Sequence, residues 1–107
     1  MLIAVVGEVD YASVAGLRVR LFRLAATGRP LVADLDGVSF IDAAGLGALA
    51  GAARQAAAHG ASLRVVCARP RIRRLFRVTG LDQVVPLAGT LDGALGMLAS
   101  AAKAEAV

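Results

Sequence analysis

A chain of 107 residues is one domain's worth and long enough to bury a core. Its residues are 58% hydrophobic with no Trp and 4% aromatics, so Leu, Val, Ile, Ala and three Phe must fill that core. The mean hydropathy of +0.70 raises the question of a membrane, but a spanning helix needs about 20 apolar residues, and Asp42 and Arg54 close the uncharged run Ala43–Ala53 too soon.

In chain order, Leu2–Val6 is a first short apolar strand. Asp10 can cap a helix from about Tyr11 to Thr27, with Val14, Leu17, Leu21 and Leu24 at helical spacing. Gly28 and Pro30 end it. Leu31–Leu35 is a second strand, Asp36-Gly37 a turn signal, and Val38–Ile41 a further apolar segment leading into Asp42. A second helix runs from about Ala43 to His59, with Leu46, Leu49, Ala50 and Ala53 on one face. Leu63–Cys67 is a third strand, and Pro70 opens a third helix, about Arg71–Thr79, striped by Ile72, Leu75 and Phe76. Val84–Leu87 is a fourth strand, and Thr90 caps a last helix carrying Leu91, Ala94, Leu95 and Leu98. Alternating apolar strands and amphipathic helices predict an α/β fold of repeated β-α units: about four strands, parallel, with right-handed crossovers and helices packed around the sheet. No linker divides residues 1–107, so a single domain is expected. Loops at the carboxyl ends of such strands carry function, and two of them, Gly7–Asp10 and Ser39–Gly45, hold acids.

The chemistry that the residues exclude is broad. Cys67 and His59 each stand alone, which rules out an intrachain disulfide or a structural zinc site within the chain. No metal and no cofactor are expected. Cys67 reads as a buried small hydrophobe. Gly45-Leu-Gly-Ala-Leu-Ala50 matches a dinucleotide fingerprint, but no Asp or Glu occurs between Asp42 and Asp82 to take the ribose; close helix packing is the simpler use of those glycines. Gly47-x-x-x-Gly51 resembles a membrane dimer motif in a segment too short to span. Asp10 and Asp42 are candidates for a carboxylate pair, yet each has a simpler role as an N-cap. The net charge is +4, eleven of the twelve basic residues are Arg, and five of these fall in Arg69–Arg77. A solvated helix face explains that run better than nucleic acid, since Phe76 belongs to the core stripe. The start Met1–Val6 has no basic residue and is unlike a signal peptide, so a cytoplasmic protein without direct membrane insertion is expected.

Three segments together resemble the STAS domain family of bacterial anti-sigma-factor antagonists: Gly7-Glu8-Val9-Asp10, Asp34–Gly47 with its core Ser39-Phe-Ile-Asp-Ala-Ala-Gly-Leu-Gly47, and Pro70–Leu81. The resemblance covers nearly the whole chain. It implies a non-enzymatic binding module that docks an anti-sigma factor, often a serine kinase, through Asp10, Asp42, Ala43, Ala44, Gly45 and Leu46, with Ser39 as loop support. In the family the kinase phosphorylates the Ser directly after the loop Asp. That position is Ala43 here and Ala44 follows, so neither can accept phosphate. Ser39, the nearest hydroxyl, sits in an apolar run and is expected to be buried. The family usually has a strand before the Gly-Glu-x-Asp strand. Met1 leaves little room for one, which predicts an exposed sheet edge suited to a homodimer or to a partner's strand. A STAS subunit of a lipid-transport ABC system, a signalling scaffold and a nucleotide-binding domain are the alternatives.

Overall fold

The computed structural model describes residues 1–95. Strand β1 (Leu2–Val9) leads through a turn to helix α1 (Val14–Ala25), then β2 (Leu31–Ile41), α2 (Ala43–Ala58), β3 (Leu63–Val66), α3 (Pro70–Val78), a 3-10 turn (Leu81–Gln83) and β4 (Leu87–Ala88). The sheet is wholly parallel in the order β1-β2-β3-β4. Each crossover steps to the next neighbour in the same direction. With one hand of crossover, α1, α2 and α3 therefore stack on one face. Residues 91–95 are helical and lie on the other face, where Ala94 joins Val32, Val66 and Ala88 in a small cluster. Leu98 of the expected last helix lies outside the described residues.

The main core is built from the inward sets of the strands and helices: Ile3 and Val9, Leu31, Ala33 and Leu35, Leu21 and Ala25, Leu49, Ala52 and Ala56, with Phe76 beneath α3. Helix α2 is buried on a broad arc because it packs against both the sheet and α1. Its alanines permit that, since small side chains let a helix approach two neighbours at once. The two glycines of Gly47-x-x-x-Gly51 divide by task. A Cβ on Gly51 would come within 2.7 Å of Phe22 Cζ from α1, whereas one on Gly47 meets nothing within 4 Å. No helix among the described residues is long and apolar enough to cross a membrane.

Four expectations are corrected. Strand β1 runs on to Val9 instead of stopping at Val6. Helix α1 starts at Val14, not Tyr11, because Asp10 O accepts from Ser13 N (3.1 Å) and Val14 N (2.9 Å), closing a separate turn first. Asp36-Gly37 is no turn: β2 passes straight through it. Ala4 pairs with Asp34 but Val6 with Gly37, and Gly7 with Val38 but Glu8 with Phe40. Two extra residues are thus absorbed as bulges, and the inward set Leu31, Ala33, Leu35 continues as Val38 and Ile41, shifted by one each time. Gly7 adopts φ +83° at the second bulge, a conformation that favours glycine. Finally, β4 is Leu87–Ala88 instead of Val84–Leu87. Val84 N and Val85 N bond back to Leu81 O (2.9 and 2.8 Å), and Pro86 has no N–H, so none of the three can donate to a ladder.

Gly51→Leu should overpack the α1–α2 contact and lower stability by about 1–3 kcal/mol. Gly47→Ala should raise it by about 0.5–1 kcal/mol by favouring helix. Urea denaturation of the two variants beside the parent tests the contrast.

Candidate functional site

The carboxyl ends of β1 and β2 lie side by side, and Asp42 joins everything that leaves them. Its N–H continues the ladder to Val9 O (3.1 Å). Its carboxylate is shared: Oδ1 accepts from Gly45 N (3.1 Å) as the N-cap of α2, and Oδ2 accepts from Tyr11 N (3.1 Å) in the β1–α1 loop. Leu46 N then donates to Asp42 O at 3.0 Å. One side chain therefore caps a helix and anchors a loop 31 residues away in sequence. Asp10 is engaged locally. Its Oδ1 accepts from Ser13 N (3.0 Å), and Ser13 Oγ lies 3.0 Å from both that oxygen and Glu8 O. The two acids are thus brought to one end of the sheet, each committed to backbone N–H groups. Asp42 is the N-cap expected of it, whereas Asp10 closes the turn before α1, whose N-cap is Ser13.

The sequence-predicted residues divide by exposure. Ala43 is exposed, and Asp10, Asp42 and Ala44 are half-buried. Gly45 and Leu46 are buried. A Cβ on Gly45 would sit 2.7 Å from Ile41 Cγ1 and 2.8 Å from Val9 Cγ1, so this glycine lets the first turn of α2 press against the sheet. Gly45 lies inside the helix with its N–H already taken by Asp42, which leaves no free phosphate cradle in the Gly45–Ala50 segment. Ser39 is exposed rather than buried, because the second bulge turns it outward between Val38 and Ile41. Its hydroxyl makes no hydrogen bond among the described residues; the loop is held by Asp42.

Two hollows flank the loop. One, of about 300 Å³, is lined by Ser39, Phe40, Ile41, Asp42, Arg71, Ile72 and Leu75, between the end of β2 and α3. The other is a shallow apolar groove of about 320 Å³ where Ala43, Leu46, Gly47 and Ala50 of α2 face Thr79, Gly80, Leu81 and Val84. Helix α3 is set beside the loop by the bulged part of β2: Asp36 Oδ1 accepts from Ala68 N (2.8 Å) and Asp36 O from Arg69 Nε (3.1 Å). Burial pushes the Cys67 thiol above its ordinary pKa, which keeps it protonated and inert. Tyr11, Phe40, Arg71 and the Gly80–Val84 stretch belong to this end of the molecule and were absent from the expected site. Tyr11 is 85% and Val84 52% exposed. Tyr11 directly after Asp10 and Leu81 directly after Gly80 are large apolar residues at turns, and Arg71 lies in the basic run Arg69–Arg77; those were the signals available.

The STAS domain family model matches residues 1–94. The anti-sigma-B factor antagonist of Bacillus subtilis is 34% identical over 89 residues, which are 83% of this chain and 82% of that protein. The crystal structure of an anti-sigma factor antagonist from Mycobacterium paratuberculosis is similar with a TM-score of 0.80 and 33% identity, over 90% of this chain and 82% of that one. The anti-sigma factor antagonist SpoIIAA in its unphosphorylated form shares the fold, with a TM-score of 0.73 at 21% identity over 92% of this chain and 87% of that one.

The double use of Asp42 can be separated by substitution. Asp42→Asn keeps an oxygen for Gly45 N but offers an N–H₂ where Tyr11 N needs an acceptor. It should accelerate amide exchange at Tyr11 while leaving the first turn of α2 protected. Asp42→Ala should expose both and cost about 1–2 kcal/mol. Residue-resolved hydrogen exchange reads the difference.

Proposed function

This chain belongs to the STAS domain family, and we propose that, like the anti-sigma factor antagonists it resembles, it works by docking an anti-sigma factor, one of serine-kinase type. The contact is the surface formed by Asp10, Asp42, Ala43 and Ala44, with Gly45 and Leu46 holding it from beneath. The observation that carries this reading is Ala43: exposed, at the first position of α2, directly after the Asp42 clamp. Docking there occupies the anti-sigma factor and releases its sigma factor. The protein acts by binding instead of catalysis, in the cytoplasm where transcription is regulated.

The physics of the position explains what its residue does. The start of a helix favours an anion, through its free N–H groups and its dipole. A phosphate at this point would add close to two negative charges without unfolding the domain and would repel a docked partner. Ala43 has no hydroxyl, so the surface stays competent for docking whatever the kinase does. The proposal also covers self-association. Strand β1 ends the strand order, and pairing of a second copy along that edge is the supported route to a homodimer; sedimentation showing only monomer at high concentration removes this part.

Affinity capture on the native chain should recover an anti-sigma factor with a kinase domain. Ala43→Asp should weaken that binding at least tenfold while leaving the melting temperature unchanged or higher, because an acid suits the first turn. Ala43→Ser should turn the chain into a phosphate acceptor for the recovered kinase and ATP. Equal binding by Ala43→Asp would reject this surface.

A further inference from the structure

The arginines around α3 divide by use. Arg69 Nε donates to Asp36 O (3.1 Å), and Arg73 Nη1 donates to Cys67 O (2.8 Å); the two fasten the helix to the middle of β2 and to the residue after β3. Arg71, Arg74 and Arg77 are exposed and make no hydrogen bond among the described residues. They stand at i, i+3 and i+6, so they form one row along the helix, rising about 4.5 Å per step. No acid lies between Asp42 and Asp82 in the chain, so α3 carries none of its own. Asp82 lines a hollow with Arg73 and Arg77 and Asp42 lines one with Arg71, but the two Asp42 oxygens already accept from Gly45 N and Tyr11 N, so Arg71 and Arg74 are the part of the row left for a partner's charge.

That part adjoins the docking loop. Arg71 lines the same hollow of about 300 Å³ as Ser39 and Asp42, and the hollow's remaining lining is apolar: Phe40, Ile41, Ile72 and Leu75. Phe40 is 47% exposed, a large ring left open beside a row of guanidiniums. Resting on the docking reading above, we propose that this hollow and the arginine row receive an acidic amphipathic segment of the anti-sigma factor. An apolar side chain enters the hollow, and carboxylates on the same face of the segment pair with Arg71 and Arg74. An apolar centre with a charged rim is how protein interfaces concentrate binding, and the arginine fork matches a carboxylate with two parallel hydrogen bonds. A nucleic-acid strand fits less well. The aromatic of α3 itself, Phe76, is fully buried, so the helix has no ring of its own on which successive bases could stack, Phe40 standing on β2, and a phosphate chain gains nothing from the apolar hollow.

The test follows the amide signals of the full chain during titration with three probes: a Leu/Glu amphipathic peptide, its Leu/Lys counterpart and a single-stranded DNA oligonucleotide. The Leu/Glu peptide should give saturable shifts confined to Phe40–Asp42 and α3, and the Leu/Lys peptide none. The Arg71→Glu/Arg74→Glu double variant should melt like the parent, as exposed and unbonded side chains allow, and should bind the Leu/Glu peptide at least tenfold more weakly. Shifts elsewhere, undiminished binding by the double variant, or tighter binding of the DNA would overturn the inference. These titrations need no anti-sigma factor, so the docking reading can fail without them. Conversely, an anti-sigma factor released by Ala43→Asp but held fully by Arg71→Glu/Arg74→Glu would overturn the arginine surface alone.

Discussion

The end of the molecule that carries the candidate site depends on the two oxygens of Asp42. A helix start leaves N–H groups without partners, and a strand end leaves its loop without direction. Asp42 meets both needs, with one oxygen on Gly45 N and the other on Tyr11 N. The loop after β1 and the first turn of α2 are thereby locked into one surface. Ala43 is exposed on that surface because the residues that flank the Ala43-Ala44 pair are fixed: Asp42 by its bonds and Gly45 by its close contact with Ile41 and Val9. A side chain larger than hydrogen at Gly45 would lift α2 away from the sheet and break this arrangement.

The irregular pairing of β1 with β2 has a similar consequence. A strand of 11 residues beside one of 8 can stay paired only by absorbing extra residues. Each bulge moves the inward set along by one, so the apolar side chains keep meeting the core. The same shifts turn Ser39 and Phe40 outward beside the Asp42–Gly45 loop and put Asp36 where it can hold Ala68 N and Arg69 Nε. The bulges thus join the sheet to α3 and set the hollow in which Arg71 meets Asp42. Asp36-Gly37 sits at the first of the two bulges without interrupting the strand. Gly37 lies close under β1 there, where a Cβ would come within 2.7 Å of the exposed Val6 side chain.

Charge is distributed along the same line. The acids Asp10 and Asp42 are consumed by backbone N–H groups at the sheet end, while two of the arginines around α3 are consumed by carbonyls. What remains toward solvent beside the loop is a small uncharged surface, Ala43 and Ala44, next to a basic helix face. Ala43 and Ala44 have no hydroxyl through which negative charge could be added at that boundary.

Much of this was legible in the amino-acid order. The alternation of apolar strands and striped helices determined the parallel α/β fold, since each pattern buries one face in only one kind of structure. The segment Asp34–Gly47 pointed to the family, and the identity of Ala43 determined that no phosphate can attach at that position. Local backbone bonding was harder to read, because the sequence does not say which N–H is already taken. Asp10 closed a turn before α1, and Leu81 claimed the N–H groups of Val84 and Val85 that a fourth strand would have used. Only the tertiary structure decided that Ser39 faces outward, that Tyr11 hangs from Asp42 and that Arg71 shares a hollow with the loop. Each of those facts depends on strand register and on contacts between residues some 30 positions apart, and a one-residue shift in register reverses which side chains face solvent.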